Sequence, residues 1–197
     1  CALPICELAA QGLRRYGFHG LSYQYVAGEL AARTPRAAGR ALLAHLGSGA
    51  SVCATQGGCS VATSMGFSAL EGLMMGTRSG SVDPGVLMHL WRQGWTLDAV
   101  EDLLYRRSGL KGVSGLSADM RSLRASPRPE AAEAIALFTQ RVRREAGAMA
   151  AVLGGLDLVA FTGGIGEHDA VLRAEVCTSF AFAGVQVDAA ANAAATG

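Results

Sequence analysis

At 197 residues the chain can bury one large core or two small ones. Half of its residues are hydrophobic, 17% are charged and glycine reaches 26, a composition that excludes a disordered chain. A formal net charge of +1 gives no electrostatic case for nucleic acid or for an anionic membrane surface.

The five cysteines, Cys1, Cys6, Cys53, Cys59 and Cys177, are an odd number without a C-x-x-C pair. They imply neither a disulfide framework nor a zinc site, and a reducing cytoplasm fits best. The most membrane-like stretch, 147–166, is interrupted by Asp157 and six glycines, and reads as a helix end followed by a buried strand. The first residues lack a basic region leading into an apolar run, so no signal peptide is expected. The chain starts at Cys1 without a Met and stops at Thr196-Gly197, which reads as a piece of something longer.

In chain order, Gly17 and Gly20 bracket Phe18-His19, placing a histidine on a backbone free to turn sharply. With a reference pKa near 6.5, such a His either acts on a ligand or simply bonds a turn carbonyl. From Ser22 through Ala32 the spacing of Tyr25, Val26 and Leu30 predicts an amphipathic helix capped by Ser22, ending before Thr34-Pro35. Residues 41–54 form an apolar run broken by Gly47-Ser48-Gly49. With Cys59 to Thr63 they predict a strand pair and a third strand. Gly47 and Gly49 allow backbone N–H groups to point outward as an anion nest, and His45 beside them is either a phosphate contact or a core histidine.

Met65 to Gly80 is the stretch on which the rest is organised. It carries one formal positive charge, Arg78, flanked by Gly76, Thr77, Ser79 and Gly80. Small neighbours let the backbone approach whatever the guanidinium touches, and its planar fork of donors matches a carboxylate or a phosphoryl group. The alternative is a glycine-rich turn with a surface Arg.

Val86 to Trp91 predicts a short helix, and Thr96 caps a second with Leu97, Val100 and Leu104 on one face. Gly109 to Leu116 reads as a glycine-punctuated loop delivering Ser117-Ala118-Asp119-Met120-Arg121. Asp119 and Arg121 either bracket a nucleoside or form a solvated pair at a helix start, and spacing does not separate the two. After Ser126-Pro127 a long helix carries Ile135, Phe138, Val142, Ala146, Met149 and Leu153 on one face, with Arg141, Arg143, Arg144 and Glu145 outside and Gly154-Gly155 as its stop. Leu156 to Phe161 reads as a buried strand entering Thr162-Gly163-Gly164-Ile165-Gly166-Glu167 and then a helix with Val171, Leu172 and Val176. Strand, glycine turn and helix can hold a nucleotide on main-chain amides, but His168 and Asp169 break the G-x-G-x-x-G pattern and disfavour a Rossmann site. Val185 to Val187 reads as a last strand. No repeat or linker divides the chain, so residues 1–197 are expected to form a single α/β domain with a mixed sheet.

Five segments in this order carry a resemblance that covers nearly the whole chain. They are Arg14-Arg15-Tyr16-Gly17-Phe18-His19-Gly20, His45-Leu46-Gly47-Ser48-Gly49, Met65 to Gly80, Ser114 to Arg121 and Phe161 to Glu167. Together they resemble the acetate kinase family, which includes propionate kinases, and Leu70 to Gly80 is highly specific to it. The resemblance implies an α/β lobe of the actin/hexokinase/Hsp70-like (ASKHA, ribonuclease H-like) fold, its mixed sheet flanked by helices. It also implies Mg²⁺ and ATP, a short-chain carboxylate or acyl phosphate as the other substrate, and a homodimer for the full-length protein. Carried over by motif, His19 and Arg78 would stabilise the transferring phosphoryl group, and His45, Gly47, Ser48 and Gly49 would line the phosphates. Asp119, Met120 and Arg121 would hold the nucleoside, with Gly164, Ile165, Gly166, Glu167 and His168 completing the pocket.

The chain departs from the family where Ser48 replaces the usual Asn, Tyr23 a His, and Ala62 and Ser81 two Asp residues. The family's N-terminal half, with a metal-binding Asn, a carboxylate-gripping Arg and an acid/base Asp, has no matching positions, nor has its C-terminal Mg²⁺-binding Glu. The chain therefore resembles the C-terminal nucleotide-binding lobe, truncated at both ends and inactive in isolation. Two functions follow: part of an acetate or propionate kinase, or a non-catalytic nucleotide-binding or interaction domain derived from one.

Overall fold

The computed structural model describes residues 6–195. The expectations drawn from Cys1 and from Thr196-Gly197 lie outside that range. Its sheet forms where the apolar runs lie. Arg40–Leu46 (β1), Ala50–Gln56 (β2) and Cys59–Thr63 (β3) make an antiparallel meander, and Leu158–Thr162 (β4) joins β1 in parallel. The order is β3-β2-β1-β4, a mixed four-stranded sheet.

The helices are Cys6–Ala10 (α1), Gly20–Arg33 (α2), Pro84–Arg92 (α3), Leu97–Arg106 (α4), Gly109–Ser114 (α5), Met120–Arg124 (α6), Pro129–Leu153 (α7), Gly163–His168 (α8), Ala170–Thr178 (α9) and Ala189–Ala194 (α10). Alternate residues of a strand point to opposite faces, and here each face finds its own cover. Leu42, Ala44, Leu46, Val52 and Ala54 enter the larger core with Phe138, Val142, Ala146 and Met149 of α7. Ala41, Leu43 and Cys53 turn the other way, against Tyr23, Val26, Ala27 and Leu30 of α2.

The long helix behaves as its period requires. Its six spaced apolar residues are all buried, Arg143 and Arg144 are exposed, and Gly154 ends it at φ 68°. Asp83 and Thr96 cap α3 and α4 by accepting the N–H groups of Gly85 and Ala99.

Four local readings give way to tertiary contacts. Ser22 does not cap α2, which starts two residues earlier with His19 at the cap position. The Ser22 hydroxyl lies against His45 instead. On α4 the expected apolar face is only partly used, because Val100 is buried while Leu97 is exposed. Gly109 to Ser114 is a helix rather than a loop, because the N–H groups of Ser108, Leu110 and Lys111 find the carbonyls of Thr77, Met75 and Gly76. Val185 to Val187 pairs with no strand and runs as irregular chain to α10. Among the described residues, no helix is long and apolar enough to cross a membrane.

The core account is checked by urea unfolding of two variants of α7. Phe138 is fully buried, so Phe138→Ala is expected to cost about 3–5 kcal/mol. Val152 on the outer face is 61% exposed, and Val152→Ala is expected to change stability by about 0.5 kcal/mol or less.

Candidate functional site

β1 ends at His45 and Leu46, and the chain reverses through Gly47-Ser48-Gly49 into β2. The Gly47 N–H donates to the Gly49 carbonyl at 3.0 Å, so that amide closes the turn instead of opening a nest. The Ser48 carbonyl accepts the Gly76 N–H at 3.1 Å, tying the turn to the Met65–Gly80 stretch. That stretch has no regular secondary structure. It is held by fully buried Met65, Leu73 and Met75 and by the amides at the start of α5.

Arg78 is aimed by this frame. Its Nη1 donates to the Ala69 carbonyl at 2.6 Å, and its Nη2 lies 2.7 Å from where a Cβ on Gly49 would stand. His19 arrives from the other side, at the N-terminus of α2, with φ 61° in the left-handed region that a side chain rarely adopts. Its Nε2 lies 3.3 Å from the same Gly49 position, so a glycine there is what allows the two side chains to meet. His19 Nδ1 is 2.9 Å from Ser51 Oγ, and Ser51 Oγ is also bonded to the Tyr23 hydroxyl. The His45 ring stacks on His19 at 4.1 Å between centroids, and its Nδ1 is 2.9 Å from Ser22 Oγ.

Burial, then the neighbouring His45 and Arg78, hold the His19 pKa down at about 4. Burial also lowers that of His45, opposed by the Glu167 carboxylate. At neutral pH His19 is therefore uncharged, and beside the Arg78 cation it serves as a polar donor or acceptor.

Beyond the turn opens a cleft of about 910 Å³. Gly47 and Ser48 form its floor, Asp119, Met120 and Arg121 one wall, and Gly164, Ile165 and His168 the other. Asp119 caps α6 by accepting the Arg121 N–H at 2.8 Å, and it also pairs with the Arg121 guanidinium at 2.6 Å. That pairing holds the Asp119 carboxyl at about 2. The reading as a solvated pair at a helix start is realised, and the pair also lines the cleft.

Gly166 and Glu167 do not line the cleft. Gly166 is buried under Phe161, and Glu167 turns back to accept from Thr162 Oγ1 at 3.1 Å and from the Gly163 N–H at 3.0 Å. Both residues fasten α8 to the end of the sheet. Gly163, at φ 79°, allows the close approach of α8 to β1, since a Cβ there would lie 2.7 Å from the Leu46 carbonyl oxygen. The sequence reading missed Arg124 and Asp169. They join the two walls at 3.1 Å, and Asp169 also caps α9. The one available signal was the spacing of Arg124, one helical turn after Arg121.

Where the chain departs from the family pattern, Tyr23, Ala62 and Ser81 have local partners and Ser48 does not. Tyr23 is buried against Ser51, the Ser81 hydroxyl accepts the Gly72 N–H at 3.1 Å, Ala62 packs on the core edge and Ser48 is exposed in the cleft. Among the described residues no group of three or more His, Cys, Asp or Glu could hold a metal ion.

The lowered His19 pKa has a consequence for stability. Between pH 6.5 and about 4 the unfolded chain takes up a proton that folded His19 does not, so this group's contribution is full above pH 6.5 and is lost as pH falls towards 4. Urea midpoints at pH 7 and pH 4.5 are expected to differ less in His19→Gln than in the unaltered chain. Equal differences would show that His19 titrates normally.

The acetokinase family model matches residues 1–197. An acetate kinase of Rhodopseudomonas palustris is 56% identical over 199 residues, covering all of this chain and 50% of that protein. The crystal structure of Porphyromonas gingivalis acetate kinase superposes with a TM-score of 0.92 at 39% identity, over all of this chain and 51% of that one. A propionate kinase structure from Francisella tularensis gives 0.89 at 34% identity, over 98% of this chain and 51% of its own. The chain thus spans about half the length of the relatives it matches. The mixed sheet flanked by helices is the ASKHA-type lobe that these structures share. On matched length, identity and superposition together, the chain belongs to the acetokinase family.

Proposed function

We propose that the chain is the nucleotide-binding lobe of an acetate kinase, a single domain over residues 1–197. The longer protein would transfer the γ-phosphoryl group of ATP reversibly to acetate, giving acetyl phosphate and ADP. The observation that carries this reading is the meeting of Arg78 and His19 over Gly49, in the same turn whose Gly47 and Ser48 line the 910 Å³ cleft. The nucleoside would lie between Asp119–Arg121 and Gly164-Ile165-His168. Its phosphates would run past Gly47 and Ser48 towards Gly49, His45, His19 and Arg78.

Phosphoryl transfer asks little covalent chemistry of the protein. An acceptor carboxylate oxygen forms a bond to phosphorus as the bond to the ADP oxygen breaks, and charge builds on the oxygens in between. Arg78, with Nη1 already held by Ala69, presents its remaining donors to those oxygens without reorganisation. Neutral His19 supplies a hydrogen-bond donor beside it. Gly166 and Glu167 act indirectly, by fixing α8. Mg²⁺ would come with the nucleotide and screen its phosphate charge. The carboxylate site and the homodimer belong to the longer protein, and a cytoplasmic setting suits such an enzyme. The propionate kinase neighbour leaves propionate as the alternative acyl group.

Calorimetric titration of the chain with ATP, with and without Mg²⁺, tests the lobe assignment. Saturable binding is expected, weakened about tenfold in Arg121→Ala by loss of one charged contact. No binding by a folded chain would refute it. Acyl phosphate formation by the longer protein, with acetate against propionate, tests the reaction. Nucleotide binding without any acyl transfer would instead make this a non-catalytic derivative of the family.

A further inference from the structure

Tyr23 stands on the second residue row of α2, one turn beyond His19, and is buried with its hydroxyl on Ser51 Oγ. The same Ser51 oxygen is 2.9 Å from His19 Nδ1. Three groups therefore share two hydrogen bonds. An arrangement in which Ser51 Oγ accepts from both Tyr23 and Nδ1–H leaves the serine proton without a partner among the described residues, and two further proton arrangements satisfy the geometry. In one, Tyr23 donates to Ser51 and Ser51 donates to Nδ1, which leaves the imidazole proton on Nε2. In the other, Nδ1–H donates to Ser51 and Ser51 donates to Tyr23, which leaves Nε2 a bare acceptor.

The second arrangement fails on its last member. A serine hydroxyl has one proton and a phenol has one, and each proton needs an acceptor. If Ser51 gives its proton to Tyr23, the Tyr23 proton has no acceptor among the described residues, because the hydroxyl's other contact, with the His45 main chain, lowers the Tyr23 pKa as a donating N–H does and cannot take that proton. A buried, unpaired hydroxyl proton costs about 1–3 kcal/mol. The first arrangement leaves none unpaired. It also places the His19 N–H on the side facing Gly49 and Arg78, where two donors converge.

We infer that Tyr23, acting through Ser51, is a positioning residue that fixes His19 as the neutral tautomer protonated on Nε2. The ring is then a donor towards whatever lies between it and Arg78, and it is not free to accept a proton there as a base. Burial raises the Tyr23 pKa, which keeps the phenol protonated at the head of the chain. The register of the sheet supplies the remaining condition. His45 pairs with Ser51 across β1 and β2, and the two histidine rings stack, so Ser51 cannot leave His19 without moving the strand pair. This assigns a role to the position where the family usually carries His. The significance for phosphoryl transfer rests on the function proposed above, whereas the proton placement does not.

The test is nitrogen NMR of the chain labelled with ¹⁵N-histidine at pH 7, His19 being assigned by its absence in His19→Gln. The unaltered chain is expected to show a single His19 tautomer, with Nε2 protonated and Nδ1 shifted by accepting a hydrogen bond. Tyr23→Phe removes one oxygen and keeps the ring, and is expected to let the Nδ1–H form appear. Ser51→Ala is expected to do the same, and Ser51→Thr, which keeps a hydroxyl, to restore the single form. A protonated Nδ1 in the unaltered chain would overturn the inference, and so would an unchanged tautomer in folded Tyr23→Phe and Ser51→Ala. If either variant fails to fold, the unaltered spectrum still decides, because bound and free Nδ1 acceptors resonate differently. ATP titration of the same samples separates the two ideas: an Nε2–H tautomer in a chain that binds no nucleotide would sustain the inference and refute the function.

Discussion

The pairing of His45 with Ser51 at the end of β1 and β2 is the constraint on which the site depends. Both residues share the face that holds Ala41, Leu43 and Cys53, and that face is covered by α2. Helix α2 can therefore reach down with His19, Ser22 and Tyr23 and find a partner for each, His19 and Tyr23 on Ser51 and Ser22 on His45. A slip of one residue in the register would turn His45 and Ser51 into the larger core and leave these groups without partners. The fold and the site are specified by the same hydrogen-bonded ladder.

A second condition is the lack of side chains where elements meet. Gly49 admits Arg78 and His19, and Gly163 lets α8 close on the end of β1. Neither residue does chemistry. Gly49 lets two polar side chains from distant parts of the chain come close to the backbone, and Gly163 lets one stretch of backbone approach another.

Much of this was legible in the sequence, for physical reasons. Strands β1 to β4 coincide with apolar runs bounded by glycine. Helix α7 follows its spacing residue by residue, and Asp83 and Thr96 are caps because their side chains compete well for the first amides. What was not legible depends on partners far along the chain. Helix α5 exists because Met75, Gly76 and Thr77 offer carbonyls to its first N–H groups, and nothing within Gly109–Ser114 announces that. Val185 to Val187 has the composition of a strand but no edge to join. Among the candidate site residues, Asp119 and Ile165 line one cleft with Ser48, while His19 and Arg78 meet over Gly49 in the adjoining turn and do not line it. Motif order could not tell that Glu167 faces inward to Gly163 while Arg124 and Asp169 bridge the walls.

The proposed nucleotide path has a direction, with the nucleoside between α6 and α8 and the phosphates running past Gly47 and Ser48 towards Arg78. A crystal structure of the chain with a non-hydrolysable ATP analogue tests this most directly. The account predicts the terminal phosphate beside Arg78 and His19 Nε2, with the ribose and base against Asp119, Arg121 and Ile165. A nucleotide bound in the opposite sense, or outside this cleft, would contradict it.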